Sequence, residues 1–153
     1  MAEGTKNTGR GNSGKGKQKP VVVSDMGRLQ PQARELEEAV LGALMLEKDA
    51  YSIISEILKP ECFYEKSHEM IYAAIVDLAA SQRPVDMLTV TEQLRKRGEL
   101  DQVGGPFYIS QLTSKVASSA HIEYHARIIA QKYLARELIS FTAMIQGKAF
   151  DET

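Results

Sequence analysis

The most constraining feature of this sequence is the density of apolar residues between about 120 and 147. They recur at helical spacing, which predicts one long helix over this stretch. The apolar positions are Ile122, Ile128, Ile129, Tyr133, Leu134, Leu138, Ile139, Phe141, Met144 and Ile145. A helix on the surface of a globular protein needs only one apolar stripe, and these residues cover at least two faces.

Each of the two faces needs a covering partner. One face can pack on a shorter predicted helix, about 106–117, so that the two helices form an antiparallel hairpin. The other face requires either the rest of the chain or a second copy. Self-association and a purely intramolecular core both explain the pattern.

The preceding residues predict a group of shorter helices. Apolar residues repeat at helical spacing over about 32–46 and 66–81, with a short helix between them around Tyr51 to Leu58. A further helix is predicted to begin at a capping box, Thr89-Val90-Thr91-Glu92, and to end at Gly98. Few aromatic residues and no tryptophan are present, so the core should be mainly aliphatic. The fold class is therefore predicted as all-α: a compact multi-helix head followed by a long antiparallel helical hairpin.

The predicted organisation has four parts. They are a disordered basic tail rich in Gly and Lys (1–30), the head (31–103), the hairpin (104–148) and the start of a linker (149–153). The tail carries a charge of +4 and the remainder −5, which sum to the net charge of −1. The tail is either a basic arm that touches nucleic acid or a solvated leader. The acidic remainder argues against strong DNA binding by the folded part alone.

No catalytic, cofactor-binding or metal-binding set is predicted. The stretch from Gly9 to Lys15 fits the phosphate-loop spacing, but Gly16 stands where such a loop needs Ser or Thr, and no strand is predicted before it. His121 and His125 share a helix face without a third ligand in the pattern. We expect His68 to make a polar contact near the start of its helix.

The remaining polar candidates also receive structural interpretations. Cys62 is expected to be a buried, unreactive thiol. Glu35, Glu37 and Glu38 are expected to be first-turn charges that favour the helix dipole. One cysteine excludes an internal disulfide, and no apolar run is long enough to span a bilayer, so a cytoplasmic location without membrane contact is expected.

Several stretches resemble the amino-terminal domain of bacterial replicative DNA helicases of the DnaB family. The resemblance covers about residues 29–147, in the family's order and spacing. The segments that carry it are Leu36 to Leu46, Phe63-Tyr64 with His68, Pro84-Val85-Asp86, Gly104-Gly105 with Tyr108, Ile122-Glu123-Tyr124, and Arg136 to Ile139. The family often has Asn where His121 stands, which further weakens a metal interpretation.

The resemblance implies a function for the whole protein and a role for this part. Such helicases are hexameric rings that move along single-stranded DNA using ATP and magnesium, which bind in a motor domain beyond the linker. Their amino-terminal domains pair through the helical hairpin into a collar that contacts the carboxy-terminal domain of primase, and a helicase loader is a candidate partner. The segment itself would then mediate oligomer assembly and would not be catalytic. The residues predicted to build the hairpin and its dimer surface are Tyr108, Ile109, Leu112, Ile122, Ile128 and Ile129.

Three alternatives remain open. The first is a helicase-binding domain of primase, which is expected to share this architecture; the Leu36 to Leu46 stretch favours the helicase. The second is a small DNA-binding regulator that uses the basic tail with Arg95, Lys96 and Arg97. An enzyme domain is a third possibility, for which no site is visible.

Overall fold

The computed structural model of the chain describes residues 28–116 and 118–151, and all regular elements in this part are helical. The basic tail and the phosphate-loop-like stretch lie outside the described residues. The elements in chain order are α1 (Arg34–Leu46), α2 (Ala50–Ile54), a 3-10 turn (Pro60–Cys62), α3 (Lys66–Ala80), α4 (Met87–Lys96), α5 (Gly105–Ser114) and α6 (Ile122–Asp151). The predicted all-α fold class is confirmed.

Helix α1 lies at the centre of the fold and contacts α2, α3, α4, α5 and α6. Val40, Leu41 and Leu44 on this helix are almost completely buried, as an apolar helix surrounded by others must be. Gly42 lets α5 approach closely, because a Cβ at this position would overlap the backbone carbonyl oxygen of Leu112. The core is thus organised around α1.

The last two helices pack mainly on α1 and much less on each other. Helix α5 contacts α1 and α4, whereas α6 contacts α1, α2 and the 3-10 turn. The first face of α6 therefore has a different main partner from the one expected, since α1 takes the place predicted for helix 106–117. Ile109 of α5 and Ile129 of α6 belong to the same hydrophobic cluster as Leu41. Helix α6 also continues to Asp151, beyond the predicted linker start at 149, because no Pro or other helix breaker follows Lys148 up to that point.

Two helix ends use the same hydrogen-bond pattern. After α3, Arg83 N donates to Leu78 O at 2.9 Å and Gln82 adopts a left-handed φ of 56°. Gly98 occupies the equivalent position after α4, with φ of 69°, and is the predicted stop. This Schellman arrangement normally requires glycine, so Gln82 is the unusual member.

The predicted capping box at Thr89 is wrong by one helical turn. Helix α4 begins at Met87, and Asp86 is its N-cap. Asp86 Oδ1 accepts hydrogen bonds from the N–H groups of Leu88 and Thr89, both at 2.9 Å, and Asp86 N donates to Thr89 Oγ1 at 3.0 Å. Asp86 satisfies the first free N–H groups of the helix, and Thr89 therefore becomes its third residue.

Candidate interaction surface on the last helix

Helix α6 carries two separate apolar stripes. The inner stripe faces the core, with Ile122, Ala126 and Ile129 buried and Tyr133 partly buried. The outer stripe comprises Leu134, Leu138, Phe141 and Ile145, whose exposed fractions are 60%, 56%, 56% and 50%. At about 100° per residue, the two stripes lie roughly 130° apart around the helix axis. The two faces inferred from the sequence are both present, and the fold covers one of them.

The outer stripe has the spacing of a helix–helix seam. Its members follow one another at intervals of four, three and four residues, as the a and d positions of a coiled coil do. No residue from 137 to 151 is buried, and the whole of α6 is about 45 Å long. Several neighbouring large apolar side chains left in water are unusual on a monomer and are typical of an interaction surface.

The six residues predicted for the hairpin and its dimer surface are placed mostly inside the chain. Ile109, Leu112 and Ile129 are essentially inaccessible, and Ile122 is nearly so. Ile128 and Tyr108 are partly exposed. The buried members hold α5 and α6 against α1, so a second copy could reach them only if the core opened. The outer stripe, which lies farther along α6, offers the accessible surface.

A buried polar network joins α1, α3 and α5. Glu37 is 1% exposed and His68 0% exposed. Glu37 Oε2 lies 2.7 Å from His68 Nδ1, and His68 Nε2 lies 2.6 Å from the hydroxyl of Tyr108. A carboxylate only accepts, so the Nδ1–H of His68 donates to Glu37, and Nε2 lies within hydrogen-bond distance of the Tyr108 hydroxyl. Burial raises the pKa of Tyr108, which keeps its hydroxyl protonated as a donor.

Glu37 lies in the first turn of α1, as predicted, but its carboxylate is also buried and bonded to other elements. The other carboxylate oxygen, Oε1, accepts the backbone N–H of Tyr64 at 2.6 Å, and Oε2 also accepts that of Glu65 at 3.4 Å. A buried carboxylate is tolerated when donors surround it in this way. His68 does make a polar contact, as expected, and also connects two helices. Its complete burial keeps solutes from the acid–base groups, so the arrangement serves packing.

The other candidate residues occupy unremarkable surroundings. Cys62 is buried, as expected, and burial raises the pKa of its thiol, which disfavours the reactive thiolate. The rings of His121 and His125 lie 6.4 Å apart. Among the described residues, no group of three or more His, Cys, Asp or Glu side chains is placed to hold a metal ion. In the same part of the chain, no helix is long and apolar enough to cross a bilayer.

Comparison with known proteins decides the family. The sequence profile of the DnaB-like helicase N-terminal domain matches residues 29–131. The chain belongs to the DnaB-like helicase N-terminal domain family. The match covers α1 to α5 and the inner stripe of α6 as far as Ile129, and it confirms the resemblance seen in the sequence.

Relatives of this DnaB-type domain are proteins named replicative DNA helicase. The chain is 53% identical over 125 residues to DnaB of Rhodothermus marinus, covering 82% of this chain and 13% of that protein. It is 43% identical over 112 residues to DnaC of Bacillus subtilis, covering 73% of this chain and 25% of that protein. The chain therefore spans between about an eighth and a quarter of the length of these relatives.

Solved structures show the same fold. The crystal structure of the N-terminal domain of DnaB helicase from Mycobacterium tuberculosis has a TM-score of 0.77 at 36% identity, covering 80% of this chain and 88% of that one. A second structure, of a DnaB-like replicative helicase and its interactions with primase, has a TM-score of 0.69 at 26% identity. It covers 78% of this chain and 28% of the other.

Proposed function

We propose that this DnaB-type domain assembles the collar of a hexameric replicative helicase and provides a docking surface for the carboxy-terminal domain of primase. The full-length protein would unwind duplex DNA at the replication fork. ATP and magnesium would bind in its motor domain, and single-stranded DNA and a helicase loader would be partners of the whole ring. Family membership and the matching helicase names support this proposal.

The outer stripe of α6 is the observation that carries the assembly role. Covering the exposed half of four large side chains on each of two copies would contribute roughly 6–12 kcal/mol. Association itself costs about 4–15 kcal/mol in lost freedom of motion. The two magnitudes are similar, so two isolated domains should associate weakly and reversibly. A ring that holds six copies together would make the same contacts effective.

Sedimentation velocity over a range of protein concentrations tests this role. We expect the wild-type chain to shift from monomer to larger species as concentration rises, and Leu138→Asp to remain monomeric because a charge at the centre of the stripe resists burial. Gln146→Asp is the matched control, since it adds the same charge to an exposed position of the same helix, roughly 110° away from the stripe. Identical behaviour of Leu138→Asp and wild type would refute the assignment.

Primase docking is supported by the neighbouring structure that contains primase interactions. Calorimetric titration with the primase carboxy-terminal domain from the same organism, at moderate and high salt, tests it directly. Saturable binding that survives salt would support docking through apolar contacts. Absence of heat at high concentration of an assembled collar would contradict docking and leave the assembly role in place.

The alternative of a DNA-binding regulator is weakened by the basic cluster at the end of α4. Arg95 Nη1 lies 2.7 Å from Glu92 Oε2, and Arg97 Nη1 lies 2.6 Å from Asp77 Oδ2. Arg97 Nε also pairs with Glu99 Oε2 at 2.8 Å. Acidic neighbours thus neutralise the side chains that would have to contact phosphates.

A further inference from the structure

Arg136 of α6 joins three parts of the chain through one guanidinium group. Its Nη1 donates to the carbonyl oxygen of Pro31 at 2.7 Å, just before α1. Its Nη2 donates to the carbonyl oxygen of Cys62 at 2.8 Å, at the end of the 3-10 turn. The planar fork of arginine can hold two acceptors in one fixed geometry, which the single ammonium of lysine cannot reproduce.

Two tyrosine rings hold the same guanidinium in place. Its central carbon lies 5.4 Å from the ring centre of Tyr64 and 5.7 Å from that of Tyr133. Both distances are within the range of cation–π attraction. Tyr133 is on α6 one turn earlier, and Tyr64 follows the 3-10 turn. The arginine is therefore fixed from the side of the head and from the side of its own helix.

Arg136 lies near the middle of α6, where the helix leaves the rest of the fold. It takes the next place in the inner stripe after Ile129 and Tyr133, at the same helical spacing. Among the described residues, its hydrogen bonds are the most carboxy-terminal ones that link α6 to another element. The helix beyond it, from 137 to 151, contains no buried residue and carries most of the outer stripe.

We propose that Arg136 is a positioning residue that fixes the direction of residues 137 to 151 of α6 relative to the rest of the fold. The fifteen residues from 137 to 151 form an arm about 22 Å long, so a change of 10° in direction moves its end by about 4 Å. Such a displacement would misalign a helix–helix seam. The use of this direction for helix–helix association rests on the proposed assembly role, whereas the positioning of the arm by Arg136 does not.

Distance measurement by pulsed electron paramagnetic resonance tests the proposal. Spin labels at the exposed positions Ser81→Cys and Gln146→Cys, in a Cys62→Ala background, report the distance from α3 to the end of α6. Labelled protein is diluted into unlabelled protein so that only distances within one chain are recorded. We expect one narrow distance distribution with Arg136 present. In Arg136→Lys we expect a broader distribution, by about 3 Å for a 10° spread in direction, because position 146 lies about 15 Å beyond Arg136 along the helix.

A matched control lies on the same helix. Arg127 is exposed, and its bond within the described residues is to Glu123 Oε1, one turn away within α6, at 2.8 Å. Arg127→Lys should therefore leave the distribution unchanged. Arg136→Met is a second variant, which keeps much of the apolar stem and removes every donor.

Hydrogen exchange in α1 and α3 identifies the reason for any change. A broadened distance distribution, with the amides of α1 and α3 still protected from exchange, would support the proposal. Unchanged distances in both Arg136 variants would overturn it. Loss of protection in α1 and α3 would also overturn it, because Arg136 would then stabilise the core instead of aiming the arm. A wild-type chain that stays monomeric would refute the assembly role alone, since the distances are measured within single chains.

Discussion

Substitution of Gly42 by alanine tests the close approach of α1 and α5. The added Cβ would overlap the carbonyl oxygen of Leu112 and the Cγ2 atom of Val116. The first neighbour is backbone, which cannot rotate away, so the two helices must separate. Overpacking of this kind costs about 3 kcal/mol at the upper end of its usual range, and the better helix propensity of alanine returns up to about 1 kcal/mol. We expect a net loss of about 2 kcal/mol in the free energy of unfolding.

Gly147 on α6 provides the control for this prediction. A Cβ at Gly147 would meet nothing within 4 Å, and the position lies inside a helix. Gly147→Ala should therefore increase the free energy of unfolding by roughly 0.5–1 kcal/mol. Urea denaturation at neutral pH and low protein concentration measures both variants. Equal or greater stability of Gly42→Ala relative to wild type would refute the packing argument.

Two further substitutions test local features of the fold. Gln82→Gly should stabilise the chain by about 1 kcal/mol, because glycine removes the cost of a left-handed conformation at this helix end. Gly98 already occupies the equivalent position after α4. An unchanged urea midpoint would contradict this prediction. Burial alone would raise the pKa of Glu38, but neighbouring groups, above all Lys115 at 2.8 Å, together outweigh burial and lower it from the ordinary 4.5. Because the folded-state pKa is lowered, ionised Glu38 stabilises the fold above pH 4.5, and this stabilisation is lost as the pH falls through the folded-state pKa. Glu38→Gln should lower the free energy of unfolding at pH 7, and its difference from wild type should shrink below about pH 4.5. A deficit that is constant across this range would contradict the ion pair.

The helices were largely predictable because their signals are local. Apolar spacing, with capping and stop residues for α4, located the six α-helices of the described part of the chain and placed the ends of the longer ones within a few residues. The start of α4 was missed because Thr89 with Glu92 fits the sequence signature of a capping box, whereas Asp86 with Thr89 lacks the usual Glu or Gln at its third position. Only the structure shows that Asp86 binds the free N–H groups.

The sequence predicted that α6 has an interaction surface, but it did not predict which residues of the helix form it. The surplus of apolar residues on α6 predicted a second face, yet spacing alone could not tell which face the fold covers. Ile129 and Leu138 look alike in the sequence, and only contacts with α1 distinguish them. The burial of Glu37 was also missed, because its donors lie 27 to 31 residues away. No local pattern reports an interaction over such a separation.

The assembly role is tested most directly by hydrogen exchange of the wild-type chain at increasing protein concentration. The outer stripe predicts that amides in the second half of α6, around Leu138 and Phe141, become slower to exchange as association proceeds. Amides of α1 and α3 should keep the same protection, since the core does not change. Protection that appears elsewhere, or α6 amides that exchange equally fast at every concentration while larger species form, would contradict assembly through this helix.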